Sequence, residues 1–401
     1  MFSNRYTTLW DAVKALSEAK VRNPDSLISS VVDFDASVTK ILFMRDLGCS
    51  GKLDQTILAQ SAAKKKTRFN GRLFPVVPIY ATSICMEQCL YCNFRAGNKG
   101  VEIERVRLSD DELMAEARYL IEVKGLRVLE LVYATDPLMR VDTMCRHVEL
   151  LRDLLGQHGG GTVGINAEAL EEEEYRRLLG AGLLFAVLWQ ETYDRERYQE
   201  LHPGTTKKTN FEYRLDAYER MLSAGIRNIG MGVLCGLADW RCDWAMLMNH
   251  ERYLFRKYGC GAAILGVPRL KPASGAVLQR TPFIPSRQEF LVAVALHNIF
   301  APETMAFVNT REDWDLCVDL SNGGGCLFTF NCSTVPGGYS LGHRGYQFPT
   351  GSYDAPVFAE KLKDAGLYPH FNWSFNGTTP SVCNRNNCKL PVHGDDLQST
   401  V

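Results

Sequence analysis

Residues 74–94 read FPVVPIYATSICMEQCLYCNF, and the fold of the chain is predicted most directly from this stretch. Residues 74–81 form an apolar run with several β-branched members, which is typical of a strand buried on both faces. The loop after this run carries Cys85, Cys89 and Cys92 at C-x₃-C-x₂-C spacing. Chance would give that spacing only about 0.01 times in a chain with this cysteine content, so we interpret the loop as a functional site.

Apolar runs of the same kind recur along the chain, and each is followed by an amphipathic stretch of helical length. We predict strands at 74–81, 127–134, 161–166, 184–190, 226–235, 261–268, 304–309 and 326–332. We expect helices near 109–124, 141–155, 168–180, 211–224, 242–258, 286–299, 311–320 and 354–366. This alternation indicates an α/β protein, and eight strand–helix pairs are the count of a closed (β/α)₈ barrel of the TIM type. Functional residues of such barrels lie in the loops after the strands, which is where the cysteine loop falls.

The rest of the chain frames this barrel. Residues 1–70 show a helical apolar periodicity at Leu9, Val13 and Leu16, and we expect them to form an N-terminal helical extension. The barrel is predicted to occupy residues 71–370, and residues 371–401 are expected to form an irregular C-terminal tail.

Composition narrows the class of protein. The chain has 401 residues, 46% of them apolar, and a formal net charge of -1, so neither nucleic acid nor an anionic membrane is an expected partner. Residues 1–20 lack the pattern of a secretory signal, and no run of 18 apolar residues occurs, so we expect a cytoplasmic protein. Thirteen cysteines in a reducing compartment point to metal binding or chemistry rather than to disulfides.

The ligand set of the cysteine loop favours an iron–sulfur cluster over zinc. A structural zinc site needs a fourth ligand, and no second C-x₂-C occurs in the sequence. A four-iron cube held by three thiolates keeps one iron open for a ligand. Adventitious zinc and three buried free thiols are the alternatives. We also weigh a second cluster at Cys383 and Cys388, and we expect Cys326 and Cys332 to be core residues.

The segment CMEQCLYCNF resembles the cluster motif of the radical S-adenosylmethionine (SAM) enzymes, including the aromatic Tyr91 before the last cysteine. The resemblance implies a 4Fe–4S cluster on the three cysteines and SAM bound to the open iron. It also implies that an electron from a flavodoxin- or ferredoxin-type donor splits SAM to give a 5′-deoxyadenosyl radical.

Segments downstream of the cluster motif are similar to the aromatic amino-acid lyase branch of that superfamily. They read QETYDRERY from Gln190, LHPG from Leu201, FEYRL from Phe211, GMGVLCGL from Gly230, NTRE from Asn309 and STVPGGY from Ser333. The similarity implies cleavage of a carbon–carbon bond of an aromatic L-amino acid, with tyrosine giving p-cresol and dehydroglycine. The alternatives are a tryptophan lyase that gives 3-methylindole-2-carboxylate and a non-lyase radical SAM enzyme of cofactor or natural-product biosynthesis. A downstream synthase is a further candidate partner.

The resemblance also implies roles for individual residues. Arg311 would hold the substrate carboxylate and Arg214 the carboxylate of SAM, since a guanidinium matches a carboxylate bidentately. Where many members carry Gly-Glu for the amino group of SAM, this chain has Thr135 and Asp136. The implied catalytic residues are Tyr80, Arg311 and Ser333, and the implied cofactor-binding residues are Tyr91, Thr135, Asp136, Asn166, Gln190, Glu191, Arg214 and Gly232.

Each of these roles has a structural alternative. Arg214 would otherwise be a surface arginine, and Glu191 a member of an ordinary salt bridge. Tyr80 would otherwise be a core tyrosine, and Gly232 a glycine that tight strand packing requires.

Overall fold

The computed structural model of the chain describes residues 1–18, 36–99, 104–329, 332–350, 355–373 and 375. The strands are β1 (Arg72–Pro75), β2 (Val77–Thr82), β3 (Val128–Tyr133), β4 (Thr162–Asn166), β5 (Phe185–Val187), β6 (Asn228–Gly232), β7 (Ala262–Gly266), β8 (Met305–Val308), β9 (Gly325–Phe328) and β10 (Tyr368–Pro369). The helices are α1 (Ser3–Glu18), α2 (Ala36–Leu42), α3 (Lys52–Phe69), α4 (Asp110–Arg118), α5 (Val141–Gln157), α6 (Glu172–Ala181), α7 (Arg195–Leu201), α8 (Phe211–Leu215), α9 (Ala217–Ala224), α10 (Trp240–Tyr258), α11 (Arg287–Phe300), α12 (Trp314–Gly323) and α13 (Ala355–Asp364).

All pairings between these strands are parallel, and β2 to β9 neighbour one another in chain order. The predicted first strand is β1 and β2, which only Val76 separates. Its lower half pairs with β9 and its upper half with β3, so this strand closes the ring. Pro75 and Pro78 have no N–H to donate, which limits how far one strand can pair on both sides. The prediction of a (β/α)₈ barrel is confirmed.

Helix boundaries follow capping chemistry. Ser109 and Ser286 each accept a hydrogen bond from the backbone N–H of the glutamate three residues on, which begins α4 and α11. The helix predicted over 211–224 is two helices that meet at Asp216, whose carboxylate accepts two hydrogen bonds from Ser3. The sequence analysis missed α7, a short helix whose N-cap is Asp194.

The N-terminal helix α1 lies against the outside of the barrel. It buries Tyr6, Leu9, Val13 and Leu16, the periodic positions seen in the sequence, and contacts α10. The Tyr6 hydroxyl donates to the carbonyl of Tyr193, 2.6 Å away, in the loop after β5. Helix α1 therefore contacts a loop at the functional end of the barrel.

The floor of the barrel is sealed partly by residues that we expected in an irregular tail. Trp373 and Phe375 are buried, and the Trp373 indole donates to the carbonyl of Pro75 at 2.8 Å. Phe375 packs on Phe185 with ring centroids 5.3 Å apart. The expectation of a purely peripheral tail is wrong for residues 371–375, because apolar rings here fill the end of the barrel that the strands leave open. None of the described helices is long and apolar enough to cross a membrane.

Candidate active site

A cavity opens at the carboxyl ends of the strands, where barrel enzymes carry their functional residues. The predicted site residues that line it are Tyr80, Cys85, Cys89, Tyr91, Cys92, Thr135, Asn166, Glu191, Arg214 and Arg311. These residues follow six different strands, so the fold brings distant stretches of sequence to one place.

The cysteine loop is tied to the barrel by backbone hydrogen bonds. Met86 donates to the carbonyl of Thr135 at 3.0 Å, and Leu90 donates to the carbonyl of Leu201 at 3.0 Å. Arg105 spans the loop, donating to the carbonyls of Ser83 and Phe94, both at 2.8 Å. These contacts fix the direction in which the three thiols point.

Burial controls the protonation of two of these thiols in the protein alone. It raises the pKa of Cys85 to about 11 and that of Cys89 to about 12, while the positive charge of Lys208 opposes both shifts. A bound metal stabilises the thiolate form, so these cysteines are poised to lose their protons on cluster assembly.

The arrangement of the thiols fits a cluster better than a single ion. Among the described residues, no three His, Cys, Asp or Glu side chains lie close enough together to ligate one metal ion. Zinc requires such convergence, whereas a four-iron cube accepts one thiolate on each of three irons. Three cavity-lining thiols in one loop therefore suit the cube.

Glu191 is the centre of a charged group on the wall near the cysteine loop. Its carboxylate lies 3.1 Å from the Lys208 ammonium and 3.4 Å from the Arg214 guanidinium. Burial alone would raise the pKa of Glu191, but the charges of Lys208 and Arg214 outweigh it and hold that pKa below its ordinary value. Two cations share one carboxylate, which leaves one positive charge available for an anionic ligand.

The backbone of Glu191 adopts a left-handed conformation, with φ at 74°. This conformation costs an L-residue roughly 1–2 kcal/mol. Such strained residues cluster at functional sites, where the surrounding structure holds them in place. Here the Glu191 carbonyl accepts from the Leu234 N–H at 2.9 Å, which fixes the residue between β5 and β6.

Tyr91 is held by His202. The Nδ1 of His202 lies 2.7 Å from the carbonyl of Tyr198, which can only accept, so the proton is on Nδ1. The Nε2 then accepts from the Tyr91 hydroxyl at 2.8 Å. Burial lowers the pKa of His202 to about 3, which keeps the ring neutral. Tyr91 therefore offers the cavity its ring rather than a free hydroxyl proton.

Arg311 is a buried cation without a counter-ion. No carboxylate of the described residues forms an ion pair with it, and its buried Nε has no hydrogen-bond partner among them. Its guanidinium carbon lies 3.2 Å from the ring centroid of Phe348, so the ring covers one face. Burial lowers the pKa of Arg311 to about 10.

Tyr80 contacts the cluster loop through one intermediary. Its hydroxyl donates to Gln347 Oε1 at 2.8 Å, and Gln347 Nε2 lies 3.5 Å from the sulfur of Cys92. Both Tyr80 and Gln347 line the cavity. The core-tyrosine alternative for Tyr80 does not describe this geometry.

Two predicted cofactor residues do not reach the cavity. Asp136 accepts from Thr82 at 2.7 Å and from Arg107 at 2.6 and 2.8 Å, so its carboxylate is fully used in holding the start of the cysteine loop. Gly232 faces its neighbouring strand, where a Cβ would lie 1.7 Å from the carbonyl oxygen of Gly266. Direct contacts from Asp136 and Gly232 to SAM therefore do not fit the structure.

Gln190 and Ser333 also lie outside the cavity wall. The Gln190 side chain is buried, and neither of its polar atoms has a partner among the described residues. Ser333 forms local bonds to Val335, and its backbone N–H donates to Tyr339. Ser333 therefore shapes the loop after β9, and a catalytic role for it does not fit this position.

Sequence reasoning missed other residues that line the cavity, namely Glu130, Lys208, Cys332 and Gln347. Lys208 had a signal, because a lysine pair lies in the loop between LHPG and Arg214. Glu130 is a lone charge inside the apolar run 127–134, which we interpreted only as a strand. Cys332 lies in the cavity wall beyond the end of β9, so the expectation that it is a core residue is wrong, whereas Cys326 is buried in the core. Cys383 and Cys388 lie outside the described residues.

Residues 79–245 match the sequence model of the Radical SAM superfamily. The 2-iminoacetate synthase of Escherichia coli (strain K12) is 28% identical over 355 residues, which cover 85% of this chain and 88% of that enzyme. The X-ray structure of the FeFe-hydrogenase maturase HydG from Carboxydothermus hydrogenoformans superposes with a TM-score of 0.81 and 29% identity, over 96% of this chain and 87% of that one. The 3-methylornithine synthase of Methanosarcina acetivorans is 29% identical over 152 residues, or 38% of this chain and 42% of that enzyme. The first two similarities extend well beyond the residues around the cysteine loop.

Proposed function

The chain belongs to the radical SAM superfamily, and we propose that it is a lyase that cleaves a carbon–carbon bond of an aromatic L-amino acid. We propose tyrosine as the substrate, with p-cresol and dehydroglycine as products. The relatives from Escherichia coli and Salmonella typhimurium are named for 2-iminoacetate, which is dehydroglycine under another name. Both likenesses cover most of this chain, at 85% and 78% of its length.

The residues around the cysteine loop would hold the cofactors. Cys85, Cys89 and Cys92 would each ligate one iron of a 4Fe–4S cluster. Arg214 and Lys208 together leave one positive charge beyond that of Glu191, which suits the carboxylate of SAM. When bound, the cluster and SAM supply a 5′-deoxyadenosyl radical. Thr135 and Asn166 lie in the same wall and stay predictions as cofactor contacts.

The observation that carries the proposal is the unpaired guanidinium of Arg311 in the cavity. A buried charge without a partner is costly, and a carboxylate ligand relieves that cost with two parallel hydrogen bonds. Phe348 covers one face of the guanidinium, which leaves its edge for the ligand. An amino acid held there by its carboxylate places its α-amine in the cavity that Tyr80 lines.

Anaerobically reconstituted protein with dithionite, SAM and each aromatic L-amino acid tests the proposal. We expect 5′-deoxyadenosine with tyrosine, together with p-cresol. Formation of 3-methylindole-2-carboxylate from tryptophan alone would replace tyrosine by tryptophan as substrate. If 5′-deoxyadenosine forms and no amino acid loses its side chain, the lyase assignment is wrong.

Arg311→Gln separates substrate binding from cofactor binding. Loss of the guanidinium should raise the KM for the amino acid at least about tenfold, since charged hydrogen bonds contribute about 1.5–3 kcal/mol each. Iron content and SAM affinity should be unchanged. Arg287→Gln is the matched control, because Arg287 forms its ion pairs with Asp313 and Asp319 on the surface. An unchanged KM in Arg311→Gln would contradict the assigned role.

A further inference from the structure

Glu130 lies on β3 one level below the other polar residues of the cavity wall. The strand register pairs Glu130 with Pro78 on one side and with Gly164 on the other, while Val132 pairs with Tyr80 and Asn166. Two residues along a strand span about 7 Å, so Glu130 lies that far beneath the level of Tyr80. Below it the barrel is filled by apolar side chains such as Val128 and Phe185. Glu130 is therefore the polar group on the floor of the cavity.

The carboxyl group of Glu130 is only partly used by the protein. One oxygen accepts from the Asn166 amide at 2.9 Å, and no other hydrogen-bond donor to Glu130 is found among the described residues. No described lysine or arginine forms an ion pair with it. Burial raises the pKa of Glu130 to about 7, and the bond from Asn166 only partly opposes this shift. A carboxyl group kept on a cavity floor without a cation has a free acceptor directed at whatever occupies the cavity.

The wall above Glu130 is aromatic. Trp189 and Phe307 both line the cavity, with ring centroids 6.4 Å apart and planes at 83°. The Trp189 ring lies against Gly266, where a Cβ would come within 2.2 Å of it. Bare backbone at Gly266 thus leaves room for the indole. An apolar slot with one acceptor at its base accommodates a flat ring that ends in a hydrogen-bond donor.

Arg311 and Glu130 belong to the same cavity. Both line it, and both of their charges act on the Cys332 thiol, whose pKa burial raises to about 12. Tyr80 likewise experiences the charges of Arg311 and Glu130. A ligand whose carboxylate is bound by Arg311 can therefore extend its side chain towards Glu130.

We propose that Glu130 sets substrate specificity by accepting a hydrogen bond from the donor at the far end of the substrate ring, a phenol O–H or an indole N–H. This inference rests on the proposed function and narrows its substrate class to aromatic amino acids that carry such a donor. Phenylalanine fits the slot and leaves the acceptor unpaired. A site that hydrogen-bonds a substrate group discriminates strongly against the analogue that lacks it.

The competing assignment is that Glu130 binds the α-ammonium group. That group is common to tyrosine, tryptophan and phenylalanine, so a change at Glu130 would then weaken all three amino acids alike. A contact to the ring donor predicts that only tyrosine and tryptophan are affected. Phenylalanine is therefore the internal control for the position of the contact.

The test measures the dissociation constants of tyrosine, tryptophan and phenylalanine for the reconstituted protein with SAM, and kcat/KM for each. We compare the wild type with Glu130→Leu, which removes the acceptor, and with Glu130→Gln, which retains one. Wild type should prefer tyrosine or tryptophan over phenylalanine, and Glu130→Leu should reduce that preference about 10- to 100-fold. Glu130→Gln should retain part of it. Iron content and the thermal midpoint of each variant establish that it is folded.

The outcomes separate this inference from the proposed function. If no aromatic amino acid binds to the wild type, the proposed function fails. If tyrosine or tryptophan binds and Glu130→Leu preserves the preference over phenylalanine, the specificity role of Glu130 is wrong. An equal loss for all three amino acids would move the contact from the ring to the α-ammonium group and would also overturn the inference.

Discussion

Lys208 shows how one side chain links the cluster loop to the proposed SAM site. It lies 3.1 Å from Glu191, lines the cavity, and its charge acts on the thiol of Cys89. Its neighbour Lys207 points away from this group and pairs with Glu171 on the surface. Adjacent lysines of opposite environment provide a matched pair for mutagenesis.

Replacing Lys208 by Met should weaken SAM binding about tenfold or more, because the positive charge left over beside Glu191 and Arg214 is removed. Equilibrium binding of SAM to the reconstituted protein measures the effect. Lys207→Met is the control and should bind SAM like the wild type. Equal affinities for Lys208→Met and Lys207→Met would contradict the proposed SAM site.

Glu130 makes the stability of the protein depend on pH. Its pKa is raised from 4.5 to about 7 in the folded state, so between these values the folded protein holds a proton that the unfolded chain has released. Stability therefore falls as pH rises through this window. A shift of this size corresponds to about 3 kcal/mol above pH 7.

Glu130→Gln removes that titration. The difference in unfolding free energy between Glu130→Gln and wild type should grow by about 3 kcal/mol in favour of the variant from pH 4 to pH 9, through loss of this one proton. Denaturant titrations of the cluster-free protein measure it. The neighbouring Tyr80, Arg311 and Cys332 are present in both proteins and largely cancel in the difference. A pH-independent difference would contradict a raised pKa at Glu130.

At the scale of elements, the loop after β2 is held by side chains of the segment before α4. Arg107 and Asp136 form an ion pair in which the Asp136 side chain is completely buried. The same carboxylate accepts from Thr82 at the end of β2 and from the Leu138 N–H. Asp136 therefore ties the end of β2 to the end of β3, directly beside the cysteine loop.

Asp136→Asn should destabilise the protein by about 3–5 kcal/mol, because it breaks a buried ion pair and leaves Arg107 without its partner. Chemical unfolding of the cluster-free protein gives this value. The affinity of the folded, reconstituted variant for SAM should stay close to that of the wild type. A selective loss of SAM affinity without loss of stability would return Asp136 to the cofactor site.

The elements themselves could be predicted because their periodicity is local. All eight barrel strands and the helix beginnings at Ser109 and Ser286 have signals within a few residues. The floor contacts of Trp373 and Phe375 could not be predicted, since they join the end of the chain to β1 and β4. The division of the first strand into β1 and β2 likewise depends on both neighbours of that strand.

The candidate site divides in the same way. Cys85, Cys89 and Cys92 are recognisable from spacing alone, and Arg214 and Arg311 from their segments. Asp136 and Gly232 carry the expected residue types, but their use depends on partners, Arg107 and Gly266, that spacing does not disclose. Glu130 was missed because an apolar run does not show which of its positions face the centre of a barrel.

At the scale of the whole molecule, helix α1 supports the loop after β5 from outside the barrel. Phe2 stacks on His250 of α10 with ring centroids 3.8 Å apart, and Tyr6 bonds to the carbonyl of Tyr193. Leu9 continues the same buried face. The extension is thus part of the core that positions Glu191 two residues before Tyr193.

Leu9→Ala should lower the free energy of unfolding by about 2–5 kcal/mol, the range for truncating a buried leucine. Thr8→Ala, on the exposed side of α1, should change it by less than about 0.5 kcal/mol. Denaturant unfolding of both variants makes the comparison. Equal stabilities would show that α1 is not packed on the barrel in solution.

The central claim is that a barrel with an open cluster site cleaves an aromatic amino acid between its α and β carbons. Its most direct test is mass spectrometry of the products formed from uniformly ¹³C-labelled tyrosine by the reduced, SAM-loaded enzyme. We predict that the label divides between p-cresol and dehydroglycine, which water converts to glyoxylate, with 5′-deoxyadenosine formed alongside. Recovery of every labelled carbon in one intact amino-acid skeleton, with 5′-deoxyadenosine present, would contradict the claim.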